Sequence, residues 1–561
     1  MDHIRNALIL GLALVSYMLL LAWNEDYPAQ SAQTAVLEQN NAQSSLDLPD
    51  TSILTTDSSA DLPQVQQAPA PAQTGLNNNS ANLISVNSPV HRVLIDPLGG
   101  DIVQLSLPQY PTTLETPDDP FILLRNDSAG VFVSQSGLIG DNGPDAASEG
   151  HPLYSSSQNS YTLDSGELNV DLSFTDANNL QITKRFIFSA DDYLITIQYL
   201  INNQGPSPWR ANLFGQIKRD AAADPSSTTG FSMRNYLGAA LTTPDDPYKK
   251  VDFDDIDRGG TTDNVEGGWI AFSQHYFLAS WIPEAGITHT YTTRKNRVGE
   301  YIMGFVSPSV VVPAQTTETL EAGFWAGPKD QYRLAEISPD LDLTIDYGWL
   351  WFVAQPIFWL LTQINDLFGN YGWSIVGLTI VIKVLFMRLS ASSYRSMAKM
   401  RRLAPKITQL RERYGEDKQK LMQAQMDLWR KEKVNPLGGC LPMLLQMPVL
   451  IGIYWVLMES VELRQAPFIL WYEDLSAMDP FFILPLIMGL SMYTSQLMMP
   501  ITTADPMQAK IMKFMPVIFT VFFLWFPAGL VLYWLVSNVF NIVQQWYIIR
   551  SVNKSYEKKT T

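Results

Sequence analysis

Lys383 carries the strongest chemical signature in the chain. It lies deep in an apolar run, residues 373–389, where an ionised side chain costs about 2.5–3.5 kcal/mol on insertion scales. A charge kept at that depth mostly faces a protein interior or a wet cavity, where it attracts anionic groups. The alternative is that Lys383 snorkels toward the end of the run at Arg388. Other apolar runs carry uncharged polar groups able to line the same space: Thr379, Gln446, Ser491, Thr494, Gln496, Thr520, Tyr533, Ser537, Asn538, Asn541 and Gln544. Such groups also stitch membrane helices together, so it is their number that argues for a hydrated groove.

No catalytic constellation competes with this feature. Metalloprotease, hydrolase-elbow, phosphate-loop and Cys-x-x-Cys patterns do not occur. His3, His91, His151, His275 and His289 lack metal-ligand spacing, and Cys440, the single cysteine, excludes an intramolecular disulfide. The acidic run Asp252-Phe-Asp-Asp-Ile-Asp257 puts Ile256 where a calcium loop needs a ligand, so it reads as a solvated loop. The pattern predicts neither enzyme nor cofactor nor metal centre.

A second feature is basic. Arg395, Lys399, Arg401, Arg402, Lys406, Arg411, Arg413, Lys418, Lys420, Arg430, Lys431 and Lys433 crowd residues 391–436. Leu403, Ile407, Leu410 and Tyr414, then Met422, Met426 and Trp429, recur at helical spacing. Two amphipathic helices turning at Gly415 and packed on those faces leave a cationic exterior. That surface suits anionic lipid headgroups, ribosomal RNA or acidic protein segments; nothing in it calls for DNA. The bland alternative is a topology signal without a partner.

The elements that position these features follow in order along 561 residues of net charge −17. Residues 1–23 read as an uncleaved transmembrane anchor, with a cleaved signal peptide as the alternative, and 24–80, rich in Ala, Gln, Ser and Pro, as a flexible linker. Residues 81–345 alternate apolar and polar side chains, as in Leu168-Asn-Val-Asp-Leu-Ser-Phe174, and predict a large antiparallel β-sandwich. Aromatic residues 346–370 predict an interfacial helix. Residues 371–390 predict a second transmembrane helix, and 437–551 hold spans at 441–458, 481–498, 511–526 and 529–549. A basic tail, 552–561, closes the chain. By the positive-inside rule the basic loop and tail are cytoplasmic, both termini included, and the acidic sandwich lies on the other side.

Several stretches resemble the YidC/Oxa/Alb insertases of Gram-negative type. They are Asn435-Pro-Leu-Gly-Gly-Cys-Leu-Pro-Met-Leu-Leu-Gln-Met-Pro448, Ser460-Val-Glu-Leu-Arg-Gln-Ala-Pro467, Phe514-Met-Pro-Val-Ile-Phe-Thr-Val-Phe-Phe-Leu-Trp-Phe-Pro527, Asp346-Tyr-Gly-Trp-Leu-Trp-Phe352 and Ser396-Met-Ala-Lys-Met-Arg401. The resemblance implies an inner-membrane, multi-pass protein that inserts and folds nascent membrane proteins, alone or with the Sec translocon. It also implies a five-helix groove open to cytoplasm and lipid, and a periplasmic β-domain. The family's groove cation, usually Arg, falls on Lys383, and its substrate contacts fall on Thr379 and Trp534, beside Tyr533. Lys in place of Arg is a departure, because a desolvated ammonium loses its proton more readily than a guanidinium.

Two other classes are weighed against this. A secondary transporter predicts inverted repeats, which the spans lack. A tethered carbohydrate enzyme needs a carboxylate pair in a cleft.

Overall fold

The computed structural model describes residues 83–146, 150–225, 236–414, 417–432, 434, 441–498 and 506–560. The anticipated anchor and linker, the Gly415 turn, Lys433 and Cys440 lie outside the described residues.

Two-residue periodicity becomes sheet in the first half. In the strand Leu180–Ser189 every second residue is buried, and in Leu194–Asn203 the phase is complementary. The two strands pair antiparallel, with Ile197 opposite Phe186, and Leu194–Asn203 pairs in turn with Thr316–Pro328. Among the described residues the strands form one sheet of eleven and one of nine. Their inner faces close on a single apolar core in which Trp281 packs its ring 4.9 Å from Phe324 and 5.9 Å from Phe305. Gly215 lies beneath these rings, and a Cβ there would come within 2.6 Å of Phe305 and 2.7 Å of Trp281. Each large side chain buried in this way contributes about 1.5–3 kcal/mol.

The sandwich departs from expectation in two places. Ile84–Asn87 pairs in parallel with Ser160–Thr162, in an otherwise antiparallel fold. The acidic run expected as a loop forms a helical turn, α1 (Phe253–Asp257), because the Asp255 carboxylate accepts from the Asp252 N–H and local hydrogen bonds favour a capped turn. A second helix, α2 (Gln331–Ile337), starts where Asp330 Oδ1 accepts from the N–H groups of Tyr332 and Arg333.

The second half is helical: α3 (Trp351–Phe368), α4 (Tyr371–Leu385), α5 (Met387–Tyr414), α6 (Lys418–Lys431), α7 (Leu441–Glu459), α8 (Ile483–Leu497), α9 (Pro506–Phe522) and α10 (Ala528–Thr560). Among the described residues no single helix is long and apolar enough to cross a membrane, whereas α4 and α5 pass together, bent by 66° between them. The apolar run 373–389 is thus broken at Phe386, and Arg388 belongs to α5. The buried carboxylate of Asp479 organises the entry to α8, accepting from the N–H groups of Phe481 (3.0 Å) and Leu484 (2.7 Å), Trp471 Nε1 and Tyr472 OH.

The two halves share buried contacts. Val461, just after α7, belongs to the sandwich core. His275 Nε2 hydrogen-bonds the Met458 carbonyl at 2.8 Å, and Arg464 donates to the Pro111 carbonyl at 2.8 Å.

Candidate functional site

The helical half is apolar on its outside as well as in its core. On α4 the buried residues Ile375, Leu378, Thr379, Ile382 and Lys383 form one stripe at three- and four-residue spacing. Ile380, Val381, Val384 and Leu385 are exposed on the other side. Leu486, Ile487, Leu490 and Leu497 on α8, and Val539, Val543 and Trp546 on α10, are exposed as well. Ser491, Ser537, Asn538 and Gln545 are buried. A water-soluble helix bundle covers its outer face with charged and polar residues instead.

Within the seam, Lys383 is only 5% exposed, and its ammonium donates to Asn541 Oδ1 on α10 at 3.2 Å. One turn earlier on α4, Thr379 is buried with its hydroxyl donating to the Ile375 carbonyl. Asn538 Nδ2 donates to Ser491 Oγ at 3.1 Å, and Gln545 Nε2 to Ser495 Oγ at 3.4 Å, both bridging α10 to α8. Ser537 is buried beside Asn538. Tyr533 is buried higher on α10 and hydrogen-bonded with the half-buried Gln446 of α7. Trp534 packs against aromatic rings of the α9 region, 6.1 Å from Phe519 and 4.9 Å from Phe523.

Thr494 is set apart from this group. It is exposed, and its hydroxyl donates to the Leu490 carbonyl of its own helix. Asn541 faces Lys383, and Gln545, passed over in the sequence in favour of its neighbour Gln544, bridges to α8, whereas Gln544 Nε2 donates to the Met387 carbonyl at 2.9 Å. The signal for Asn541 and Gln545 was the 538, 541, 545 spacing, which puts three amides on one helix face.

The basic pair of helices follows a different logic. Met400, Leu403 and Val434 form its buried centre, with Ile407 and Trp429 packed against it. On α6 the inward positions are Leu421, Gln425 and Trp429, whereas Met422 is 57% exposed. The anticipated face Met422–Met426 is off by one residue, since a four-residue step back from Trp429 selects 425 and 421. Arg395, Lys399, Arg401, Arg402, Lys406, Arg411, Arg413, Lys420, Arg430 and Lys431 are all exposed. Lys418 opens α6. Lys406 pairs with Glu432 at 2.7 Å, linking the two helices.

Comparison with known proteins places these parts. The family described as YidC periplasmic domain matches residues 83–360, and that described as 60Kd inner membrane protein matches residues 363–555. The membrane protein insertase YidC of Pseudomonas putida (strain GB-1) is 52% identical over 563 residues, covering 100% of both chains. The protein of that name from Azotobacter vinelandii (strain DJ / ATCC BAA-1303) is 50% identical and covers 99% of each. A crystal structure of an active YidC insertase with the first transmembrane domain resolved is similar at 17% identity and a TM-score of 0.39, covering 83% of this chain and 93% of that one. Aligned end to end with relatives at half identity, and matched by both family regions, the chain belongs to the YidC family of membrane protein insertases.

Proposed function

We propose that this insertase takes the segment that must cross the bilayer into the polar seam around Lys383, while the apolar remainder of the substrate leaves sideways into lipid. In bare hydrocarbon each unsatisfied backbone group costs several kcal/mol. A wall of hydroxyls and amides lowers that cost, and partitioning of the apolar segment drives the step. No nucleotide hydrolysis is invoked. The observation that carries the reading is the burial of Lys383 against Asn541, inside the bundle and not at its surface. A lone buried cation facing neighbouring helices is the arrangement that attracts an acidic extracytoplasmic segment.

The exposed apolar faces of α4, α8, α9 and α10 support a membrane core with the seam at its centre. The fifteen residues of α4 reach about 22 Å, short of a hydrocarbon slab about 30 Å thick, so the bilayer thins around it or the helix end lies within the slab. In this reading the sandwich is periplasmic, and α5, α6 and the end of α10 are cytoplasmic. Trp349, Trp351 and Trp359, all exposed on or just before α3, rest at the outer headgroups. The cationic surface of α5 and α6 guides ribosome-borne nascent chains and touches anionic lipids. Cooperation with the Sec translocon is the partner relation that the family resemblance implies.

The test uses cells depleted of the native insertase and complemented with Lys383→Ala or Lys383→Glu. Protease protection of a substrate with a short acidic extracytoplasmic segment should fall in both, and further in Lys383→Glu. Undiminished insertion in both removes Lys383 from the mechanism.

A further inference from the structure

Three amides of α10 share one helix face, and two of them have ordinary partners. Asn538 and Gln545 donate to serine hydroxyls on α8, which is how polar side chains commonly join helices. Asn541, between them in sequence, has a cation for a partner. Since an ammonium only donates, the amide oxygen is the atom turned toward Lys383. Among the described residues no carboxylate pairs with Lys383.

The geometry points to Asn541 as the positioning residue for the groove cation, a specificity device that holds the ammonium in the seam without neutralising it. A carboxylate at 541 would bind the ammonium more strongly and compete with every acidic substrate. An apolar residue would leave four flexible methylenes free to carry the ammonium toward the headgroups. A neutral acceptor does neither. It fixes the direction of the charge and leaves its field available to an incoming Asp or Glu, with the Nδ2 donors beside it as a second contact for the same carboxylate. The expected consequence is selectivity: Asn541 matters for substrates whose crossing segment is acidic and is dispensable for the same segment with Asn and Gln in place of Asp and Glu.

This inference rests on the reading of Lys383 given above, and the experiment separates the two. Full-length Asn541→Ala, Asn541→Asp, Lys383→Asn and the exchanged double variant Lys383→Asn/Asn541→Lys are each compared with wild type in depleted cells. Insertion of an acidic substrate and of its neutralised twin is followed by protease protection. Asn541→Ala is expected to slow the acidic substrate roughly tenfold, the lower end of what a hydrogen bond to a charged group is worth. Asn541→Asp should slow it more, through an internal ion pair, and the exchanged variant should recover it. The twin should insert equally well in Asn541→Ala and Asn541→Asp, and limited proteolysis of the solubilised chain reports separately that each variant is folded. If Asn541→Ala and Asn541→Asp handle the acidic substrate like wild type while Lys383→Asn does not, the positioning role is overturned and the cation's role stands. If Lys383→Asn is also without effect, both fall. Equal losses for both substrates in the Asn541 variants mean a packing role and overturn the inference as well.

Discussion

At Lys383 two physical demands are met together. On the proposed reading the charge has to be buried deeply enough to act on a chain inside the bilayer, yet it needs a partner that offsets part of the desolvation. Asn541 supplies that partner from the neighbouring helix. Because the demand is for a cation, Lys383→Arg should keep insertion of an acidic-segment substrate, while Lys383→Gln should lose roughly tenfold in the same protease-protection measurement. His91 makes a different point about single residues. It is buried in the sandwich with Nε2 donating to the Ala326 carbonyl at 2.8 Å, and burial pushes its pKa down to about 4, only partly opposed by that hydrogen bond. The folded domain therefore binds fewer protons than the unfolded chain below the usual histidine value. Stability is full above about pH 6.5 and is lost as pH falls toward 4, by about 3 kcal/mol from this group. Urea unfolding at pH 7 and pH 5 should show the loss, and His91→Gln should flatten it.

Among the elements, α6 shows how one residue of register changes what a surface does. Leu421 is 5% exposed and Met422 57%, so Leu421→Asp should separate α6 from α5 and expose it to proteolysis. Met422→Asp should leave the pair intact, apart from a weaker attraction to anionic vesicles. If limited proteolysis finds the two variants alike, the register is wrong. Asp479 plays the corresponding part before α8. Its carboxylate satisfies two N–H groups at the helix start together with Trp471 and Tyr472. Asp479→Ala leaves those donors buried without an acceptor and should cost about 1–3 kcal/mol, read as a lower melting temperature of the detergent-solubilised chain.

For the whole molecule, the question is how a sandwich and a helical bundle are joined. Lys329, at the end of the last strand region, and Glu459, at the end of α7, are both buried. Burial draws the Lys329 pKa down, and Glu459 is the foremost charge pulling it back. Removing one of two opposite buried charges leaves the other less compensated, whereas replacing both with apolar groups is near neutral. Lys329→Met and Glu459→Leu should each loosen the junction, and the double variant should restore it. Hydrogen exchange around residues 270–280 and 456–466 is the measurement. A double variant no better than the singles would show that the charges do not act as a pair.

Much of this molecule is legible in one dimension. The period of two in Leu180–Ser189 and Leu194–Asn203 specifies half-buried strands, since an alternating sequence has one pleat that can be packed. The apolar runs with polar inserts announce helices that carry polar side chains among apolar ones, and Lys383 is conspicuous because a charge among apolar residues is costly wherever it goes. What a sequence does not carry is which neighbour pays part of that expense. The partnership of Lys383 with Asn541, 158 positions away, depends on how α4 and α10 are rotated against each other. So does the outward turn of Thr494, which shares its residue type, though not its helix face, with the polar lining. The bend at Phe386 and the one-residue register of α6 were likewise decided in three dimensions, because periodicity sets the width of a face and packing against a particular partner chooses its centre.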